Sequence, residues 1–295
     1  MRSRRAAVLG SPISHSLSPV LHRAAYASLG LDWRYDALEV GDERGLQALF
    51  DQCDTDGDWA GLSLTMPLKK LVLPMLDEVS GTASATSAVN TVVFESSAPQ
   101  PDVDGRPAAP ARPRRVGHNT DVTGIVRAVS EAGVDALTEG LVLGGGATAC
   151  SAVAALARLG ARQAQVVVRS PERAADVVTT GERVGLVVHL RSWTEAASAG
   201  TTSGLVVSTV PALASDEARR LLAAMEATRA VLLDVAYDPW PTPVAQDWER
   251  RGGRVVGGFS MLLHQAVEQV RLMTGRTPDV AAMRRAGLAA LAERR

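Results

Sequence analysis

Short apolar runs alternate with amphipathic stretches from one end of the chain to the other. RAAVLG (5–10), WRYDALEV (33–40), WAGLSL (59–64) and AVNTVVF (88–94) have the composition of strands, and the stretches 19–29, 43–53 and 68–78 between them have helical spacing. This alternation predicts βαβ units and a mostly parallel sheet. A second series follows. GLVLGGGATACSAVAALARLG (140–160) reads as strand, glycine turn and helix. AQVVVRS (164–170), GLVVHL (185–190), GLVVSTV (204–210) and AVLLDVAY (230–237) are continuous apolar runs, the pattern of strands covered by helices on both faces. FSMLLHQAVEQVRLMTG (259–275) returns to helical spacing and closes at Gly275, and a last helix spans about 278–292. Between the two series, ESSAPQPDVDGRPAAPARPRR (95–115) is too rich in proline for a helix or a central strand and reads as an extended, mobile hairpin loop. The expected class is α/β throughout.

Bulk properties narrow the function classes. A chain of 295 residues accommodates two domains, and 46% hydrophobic residues suffice for a sizeable core. A net charge of −1 lacks the basic excess that a nucleic-acid phosphate backbone demands, and 4% aromatic residues leave little for base stacking. Cys53 and Cys150 make neither a disulfide framework nor a metal-ligand spacing, so no metal is expected. The basic start MRSRRAAVLGSPIS holds too short an apolar run for a signal peptide, and no stretch reaches the ~18 apolar residues of a membrane span. The expectation is a soluble cytoplasmic protein that acts on small molecules, with a homodimer left open.

VLGGGATA carries G-x-G-x-x-A at Gly144, Gly146 and Ala149, between an expected strand and an expected helix. The first glycine permits a tight turn, the second lets the backbone approach a pyrophosphate, and the helix start offers N–H groups to its charge. An NAD site usually places an acid about 20 residues further on, for the ribose 2′-hydroxyl. That region here reads VVVRSPER, with Arg169 and Ser170 in the acid's place and Arg173 following. A guanidinium there matches the 2′-phosphate of NADP, so NADP is the expected cofactor. A plain strand–helix turn and ordinary surface arginines are the structural alternatives.

LTMPLKK (64–70) holds the only lysines, Lys69 and Lys70, in a chain whose other cationic side chains are arginines. Arginine serves solubility and ion pairs but stays charged at any physiological pH, so it cannot exchange a proton. A retained lysine therefore marks a candidate acid or base; the alternative is two lysines on a helix surface. Small polar residues gather at neighbouring strand-to-helix turns. GSPISHSLSP (10–19) places Ser16 and Ser18, SLTMP places Thr65, AVNT places Asn90, and GHNTD places Asn119 and Asp121. Ligands of open α/β sheets bind at the carboxyl ends of strands, and this set suits a small, polyhydroxylated, anionic substrate. Each residue also has a structural reading: Ser18 before Pro19 as an N-cap, Asp121 as the cap of the following helix.

Together these segments resemble the shikimate dehydrogenase family. Its opening G-[NS]-P-[IV]-x-H-S-x-S-P corresponds to GSPISHSLSP, its N-V-T-x-P-x-K to SLTMPLKK, its G-A-x-N-T to SAVNT, and its N-T-D-x-x-G to NTDVTG. The cofactor turn is GGGAT, the strand end VRS, the D-x-x-Y-x-P segment DVAYDP and the final G-x-x-M-L-x-x-Q-A motif GFSMLLHQA, all in order from residue 10 to 266. The resemblance implies reversible, NADP-dependent reduction of 3-dehydroshikimate to shikimate. It implies Lys69 and Asp121 as the catalytic pair, Ser16 and Ser18 on the substrate carboxylate, and Thr65, Asn90 and Gln265 on the ring hydroxyls, with Tyr237 near them. Gly144, Gly145, Gly146, Ala147 and Thr148 would hold the pyrophosphate, Arg169, Ser170 and Arg173 the 2′-phosphate side, and Val235, Gly258 and Met261 the nicotinamide. The implied fold is a substrate domain over 1–120, completed by helices over 259–295, and a Rossmann-like NADP domain over 121–258. The chain departs from the family pattern in four segments: Ser63 replaces Asn, Ser87 replaces Gly, Val168 replaces Asn, and Gly145-Gly146-Ala147 replaces the commoner Ala-Gly-Gly. Rival readings are a quinate or aminoshikimate dehydrogenase using NAD, a methylenetetrahydrofolate dehydrogenase, and a non-catalytic protein that binds NADP or a metabolite.

Overall fold

The computed structural model describes residues 3–95, 112–199, 204–211 and 215–294. Most of the proline-rich segment, residues 96–111, lies outside the described residues, and with it the expected hairpin loop. The chain divides into two compact units, one of residues 1–84, 88–120 and 266–295, the other of residues 85–87 and 121–265.

The first unit is built on six strands: β1 (Arg5–Gly10), β2 (Arg34–Glu39), β3 (Trp59–Leu64), β4 (Glu78–Val79), β5 (Thr91–Glu95) and β6 (Arg114–His118). Their order in the sheet is β2-β1-β3-β5-β6-β4. β1 runs parallel to β2 and β3, β4 runs parallel to β6, and β5 is antiparallel to both β3 and β6. Helix α1 (Ser18–Ser28) follows β1, and α2 (Glu43–Asp56) follows β2. Asp42 caps α2 by accepting from the Gly45 amide at 2.8 Å, and Gly57 ends it in the left-handed conformation. Leu46, Phe50 and Cys53 of α2 pack on Leu9, Leu62 and Phe94 of the sheet. Burial pushes the Cys53 thiol up to about 12.

Two expectations in this unit need correction. The helix expected over 68–78 is instead a four-residue α3 (Leu68–Leu71), a 3-10 turn (Leu73–Met75) and β4. Pro74 has no N–H to continue the helical bonds and disfavours helical backbone at the residue before it. The strand expected from residue 88 begins at Thr91. Val89 directs its amide to the Lys69 carbonyl at 2.8 Å and so leaves the ladder. At the far end of the chain, α12 (Val280–Ala292) packs on α1 and is tied there by Arg294 to the His15 carbonyl at 2.9 Å.

The second unit holds β7 (Glu139–Leu143), β8 (Gln163–Val168), β9 (Val187–Ser192), β10 (Leu205–Ser208), β11 (Val231–Asp234) and β12 (Arg254–Gly257). All neighbours are parallel, in the order β12-β11-β10-β7-β8-β9. That order reverses at β7, the arrangement of doubly wound dinucleotide folds. Side chains alternate between two cores. Val142, Val166, Val168, Val207 and Leu233 face one core with Ile125, Val153 and Leu156. Leu141, Leu143, Val167, Val206 and Leu232 face the other with Leu221, Leu222 and Trp248. Covering helices include α5 (Asp121–Glu131), α6 (Ala147–Arg158), α7 (Ala175–Val184), the short α8 (Trp193–Ala199) with Ala196 in the second of these cores, α9 (Ser215–Ala223) and α10 (Pro243–Arg250); the short α4 (Gly81–Thr86) precedes β5. Helix α11 (Gly258–Thr274) carries the division between the units, which falls between Gln265 and Ala266. Among the described residues, no helix is long and apolar enough to cross a membrane.

Candidate active site

In the first unit, strand registers bring the polar turns to one sheet edge. Leu9 pairs with Leu64, Ser63 with Thr91, and Thr91 with His118. The turn after β1, Thr65 after β3, Asn90 before β5 and Asn119–Thr120 after β6 therefore emerge side by side. Thr65 donates its amide to the Leu9 carbonyl at 2.8 Å, and the Leu64 amide bonds to the Asn90 carbonyl at 2.8 Å. Ser16 and Ser18 meet at the start of α1, where the Ser18 amide donates to Ser16 Oγ at 3.3 Å. The N-cap of α1 is Leu17, so Ser18 is the first helical residue and not the cap expected from sequence. Lys69 and Lys70 are both half-buried on α3 directly after Thr65, and the Lys69 main chain is pinned to this edge through the Val89 amide.

Asn90 is 1% exposed, and its side chain is the centre of a buried network. Its Oδ1 accepts from the Thr120 amide at 2.8 Å and from the Thr91 hydroxyl at 2.9 Å. Its Nδ2 donates to Thr120 Oγ1 at 3.0 Å. Sequence reasoning missed Gln269, Tyr35 and His22, and saw Ser63 only as a departure. Gln269, 2% exposed, connects Ser63 to Thr91. It lies four residues after Gln265, so its place on the same helix face was readable from helical spacing. His22 is fully buried and stacks on Tyr35 with ring centroids 3.8 Å apart. Burial lowers its imidazole to about 4, against a smaller opposing effect of the Ser18 carbonyl.

In the second unit, Asp121 is 1% exposed at the first position of α5, inside the helix rather than capping it from outside. Gly124, one turn on, lets α11 approach: a Cβ there would stand 2.7 Å from the Met261 carbonyl oxygen and 3.1 Å from Gln265 Cβ. Asp121 thus sits on one of two helices in close contact, and Met261 and Gln265 on the other. Val235 and Gly258 also adjoin, since a Cβ on Gly258 would meet the Val235 carbonyl oxygen at 2.0 Å. Asp234 shapes the turn towards Tyr237, accepting from the Thr242 hydroxyl at 2.5 Å and the Ala236 amide at 3.3 Å, and burial raises its carboxyl above the ordinary range.

The glycine turn has the form a pyrophosphate needs. Gly144 has φ +112°, and a Cβ there would stand 2.3 Å from Thr209 Oγ1, so only glycine fits. Gly146 is the N-cap of α6, which no side chain caps, and the space around its would-be Cβ is open to 4 Å. Ala147 and Thr148 form the first helical turn with their amides at that opening. Arg169, directly after β8, is exposed, and its Nε contacts Glu217 Oε2 at 3.3 Å. Ser170 precedes the 3-10 turn Pro171–Arg173, and the side chain of Arg173 lies outside the described residues. These residues fit an NADP cradle: uncapped helical amides for the pyrophosphate and a guanidinium at the strand end.

A doubly wound unit with a glycine cradle, on one chain with a mixed-sheet unit whose edge carries serines, threonine, lysine and asparagine, is the architecture of a two-unit α/β dehydrogenase. Two family domains match: the shikimate dehydrogenase substrate binding domain over residues 8–92 and the shikimate 5'-dehydrogenase C-terminal domain over residues 258–286. A shikimate dehydrogenase (NADP(+)) of Desulfitobacterium hafniense is 31% identical over 287 residues, covering 97% of this chain and 98% of that protein. Pentafunctional AROM polypeptides 1 and 2 of Lodderomyces elongisporus are 34% identical over 283 residues, 92% of this chain, which spans only 17% of their length. The crystal structure of Mycobacterium tuberculosis shikimate dehydrogenase superposes with a TM-score of 0.82 at 38% identity, covering 97% of this chain and 99% of that one. That of Thermus thermophilus shikimate 5-dehydrogenase, in complex with NADP(H) and shikimate, gives 0.76 at 30% identity, covering 98% and 100%. The chain belongs to the shikimate dehydrogenase family.

Proposed function

We propose that this protein catalyses the reversible, NADP-dependent reduction of 3-dehydroshikimate to shikimate, a step towards aromatic amino acids. The observation that carries the reading is the sheet edge of the first unit, where the serine pair, Thr65, Asn90 and the lysine helix are fixed by strand register and main-chain bonds. Hydroxyls and amides at such an edge suit a hydroxylated ring, and Ser16 and Ser18 at the start of α1 suit its carboxylate. The Thermus relative, solved with NADP(H) and shikimate, supports the same pairing of ligands for this chain.

When bound, NADPH supplies the hydride that converts the ketone to an alcohol. The chain supplies the rest. Lys69 Nζ gives a proton to the oxygen that becomes the hydroxyl, and takes it back in the reverse direction. A positioned acid of this kind contributes about 10²–10⁴-fold. Asp121 provides the carboxylate that orients this exchange. Thr65, Asn90 and Gln265 bond the ring hydroxyls, with Tyr237 beside them. Gly144 to Thr148 hold the pyrophosphate and Arg169 with Ser170 the 2′-phosphate, while Val235, Gly258 and Met261 shape the nicotinamide end. Buried thiols at Cys53 and Cys150 suit a reducing cytoplasm.

The test is a steady-state panel of shikimate, quinate and aminoshikimate against NADP and NAD, followed at the NADPH absorbance. The proposal predicts the highest kcat/KM for shikimate with NADP. A higher value for quinate or aminoshikimate with NAD overturns it.

A further inference from the structure

A one-way chain of hydrogen bonds crosses the core of the first unit and ends on Asn90. Tyr35 on β2 donates its phenol proton to Ser63 Oγ on β3 at 2.7 Å. Ser63 donates to Gln269 Oε1 on α11 at 3.0 Å. Gln269 Nε2 donates to Thr91 Oγ1 on β5 at 3.1 Å, and Thr91 donates to Asn90 Oδ1 at 2.9 Å. Tyr35, Ser63, Thr91 and Gln269 are each at most 3% exposed, so no water competes for these bonds.

The direction of the chain is fixed at Gln269. The Asn90 main-chain carbonyl lies 3.4 Å from Gln269 Nε2 and can only accept, so the amide nitrogen must face that side and the amide oxygen must face Ser63. With its oxygen accepting from Gln269, the Thr91 hydroxyl turns its own proton towards Asn90. The Asn90 carbonyl oxygen is thereby held inward by the Thr91 hydroxyl and the Thr120 amide, and the amino group, which donates to Thr120 Oγ1, is the donating end.

We propose that Gln269, set by Ser63 and Tyr35, is a positioning residue that acts through Thr91 and together with the Thr120 amide to hold the orientation of the Asn90 amide, so that Asn90 presents an N–H donor to a ring hydroxyl of the substrate. The inference rests on the reading of Asn90 as a substrate ligand. It also gives Ser63 a purpose: a hydroxyl can accept from Tyr35 and donate to Gln269 at once, passing on the direction that Gln269 requires.

The experiment compares Gln269→Glu, Gln269→Leu and Asn90→Ala with the wild type. It measures KM for shikimate, KM for NADP, kcat and melting temperature between pH 6 and pH 9. An ionised glutamate is nearly isosteric but cannot donate to Thr91. Thr91 then turns its proton to the carboxylate, and Asn90 loses a partner. Gln269→Glu should raise the shikimate KM about tenfold at high pH, the effect of one misdirected buried hydrogen bond. The KM for NADP should stay within twofold. Lowering the pH protonates the buried carboxyl, which then donates to Thr91 and accepts from Ser63 as the glutamine does, so the defect should shrink. Gln269→Leu should show the KM defect without recovery. His118, beside Thr91, and Glu268 and Arg271, on the helix of Gln269, are common to variant and wild type, so the variant-to-wild-type ratio isolates residue 269.

An Asn90→Ala variant with raised shikimate KM beside Gln269 variants of wild-type KM overturns the inference and leaves the site reading standing. Equal losses in both KM values and in melting temperature, without recovery at low pH, make Gln269 a core residue only and also overturn it. A silent Asn90→Ala removes the reading of Asn90, and the inference with it.

Discussion

Lowering the pH from 7.5 to 5 should destabilise the protein through His22 in particular. The imidazole is fully buried against Tyr35, its Nδ1 lies 2.9 Å from the Ser18 carbonyl, and its Nε2 has no hydrogen-bond partner among the described residues. Burial holds it at about 4 in the folded chain against an ordinary 6.5. Between these values the unfolded chain binds a proton that the folded chain refuses, so stability falls as the pH drops through 6.5 and levels off near 4. At about 1.4 kcal/mol per pH unit, the step from 6.5 to 5 costs about 2 kcal/mol. Asp77, held at about 2 chiefly by its bond from Arg112, contributes only at lower pH and does not blur the window. The assay is urea unfolding of wild type and His22→Leu at pH 7.5 and pH 5, followed by tryptophan fluorescence. Wild type should lose about 2 kcal/mol more than the variant over that interval. Equal losses would show that His22 takes up its proton in the folded state, and the burial argument would fail.

Three further outcomes follow from the site. Gly146→Ala should leave the melting temperature unchanged, because nothing lies within 4 Å of the new methyl, yet raise the Kd for NADP by about tenfold or more if a pyrophosphate must approach that backbone; calorimetry measures both. Arg169→Asp should weaken NADP and spare NAD, whereas Glu217→Gln, which frees the guanidinium from an exposed ion pair worth about 0.5 kcal/mol, should tighten NADP roughly twofold. Gln265→Ala should raise the Michaelis constant for shikimate much more than that for NADP; a drop in melting temperature alone would make Gln265 structural.

The parts of the fold readable from sequence were those in which one local rule acts alone. The apolar runs of the second unit read as strands covered on both faces, and Val142 and Leu143 do face opposite cores. The glycine turn was legible because a strand before it and a helix after it fix what glycine is for. The segment after Lys70 was not legible, since its apolar spacing is helical while Pro74 breaks the helix bonds. The network around Asn90 was hidden for another reason: Gln269 meets Ser63 across 206 positions of sequence, which no local pattern reports. Glu217 was missed likewise, reaching Arg169 from a helix 48 residues away.

The central claim is that Lys69 is a lysine because it must exchange a proton. Its most direct measurement is the turnover of Lys69→Arg beside that of Lys70→Arg, with shikimate and NADP saturating. Arginine keeps the cation and gives up the proton exchange. The account predicts that Lys69→Arg loses about a hundredfold or more in kcat while the shikimate KM changes little, and that Lys70→Arg stays near wild type. Retained turnover in Lys69→Arg, or equal losses at the two positions, would contradict it.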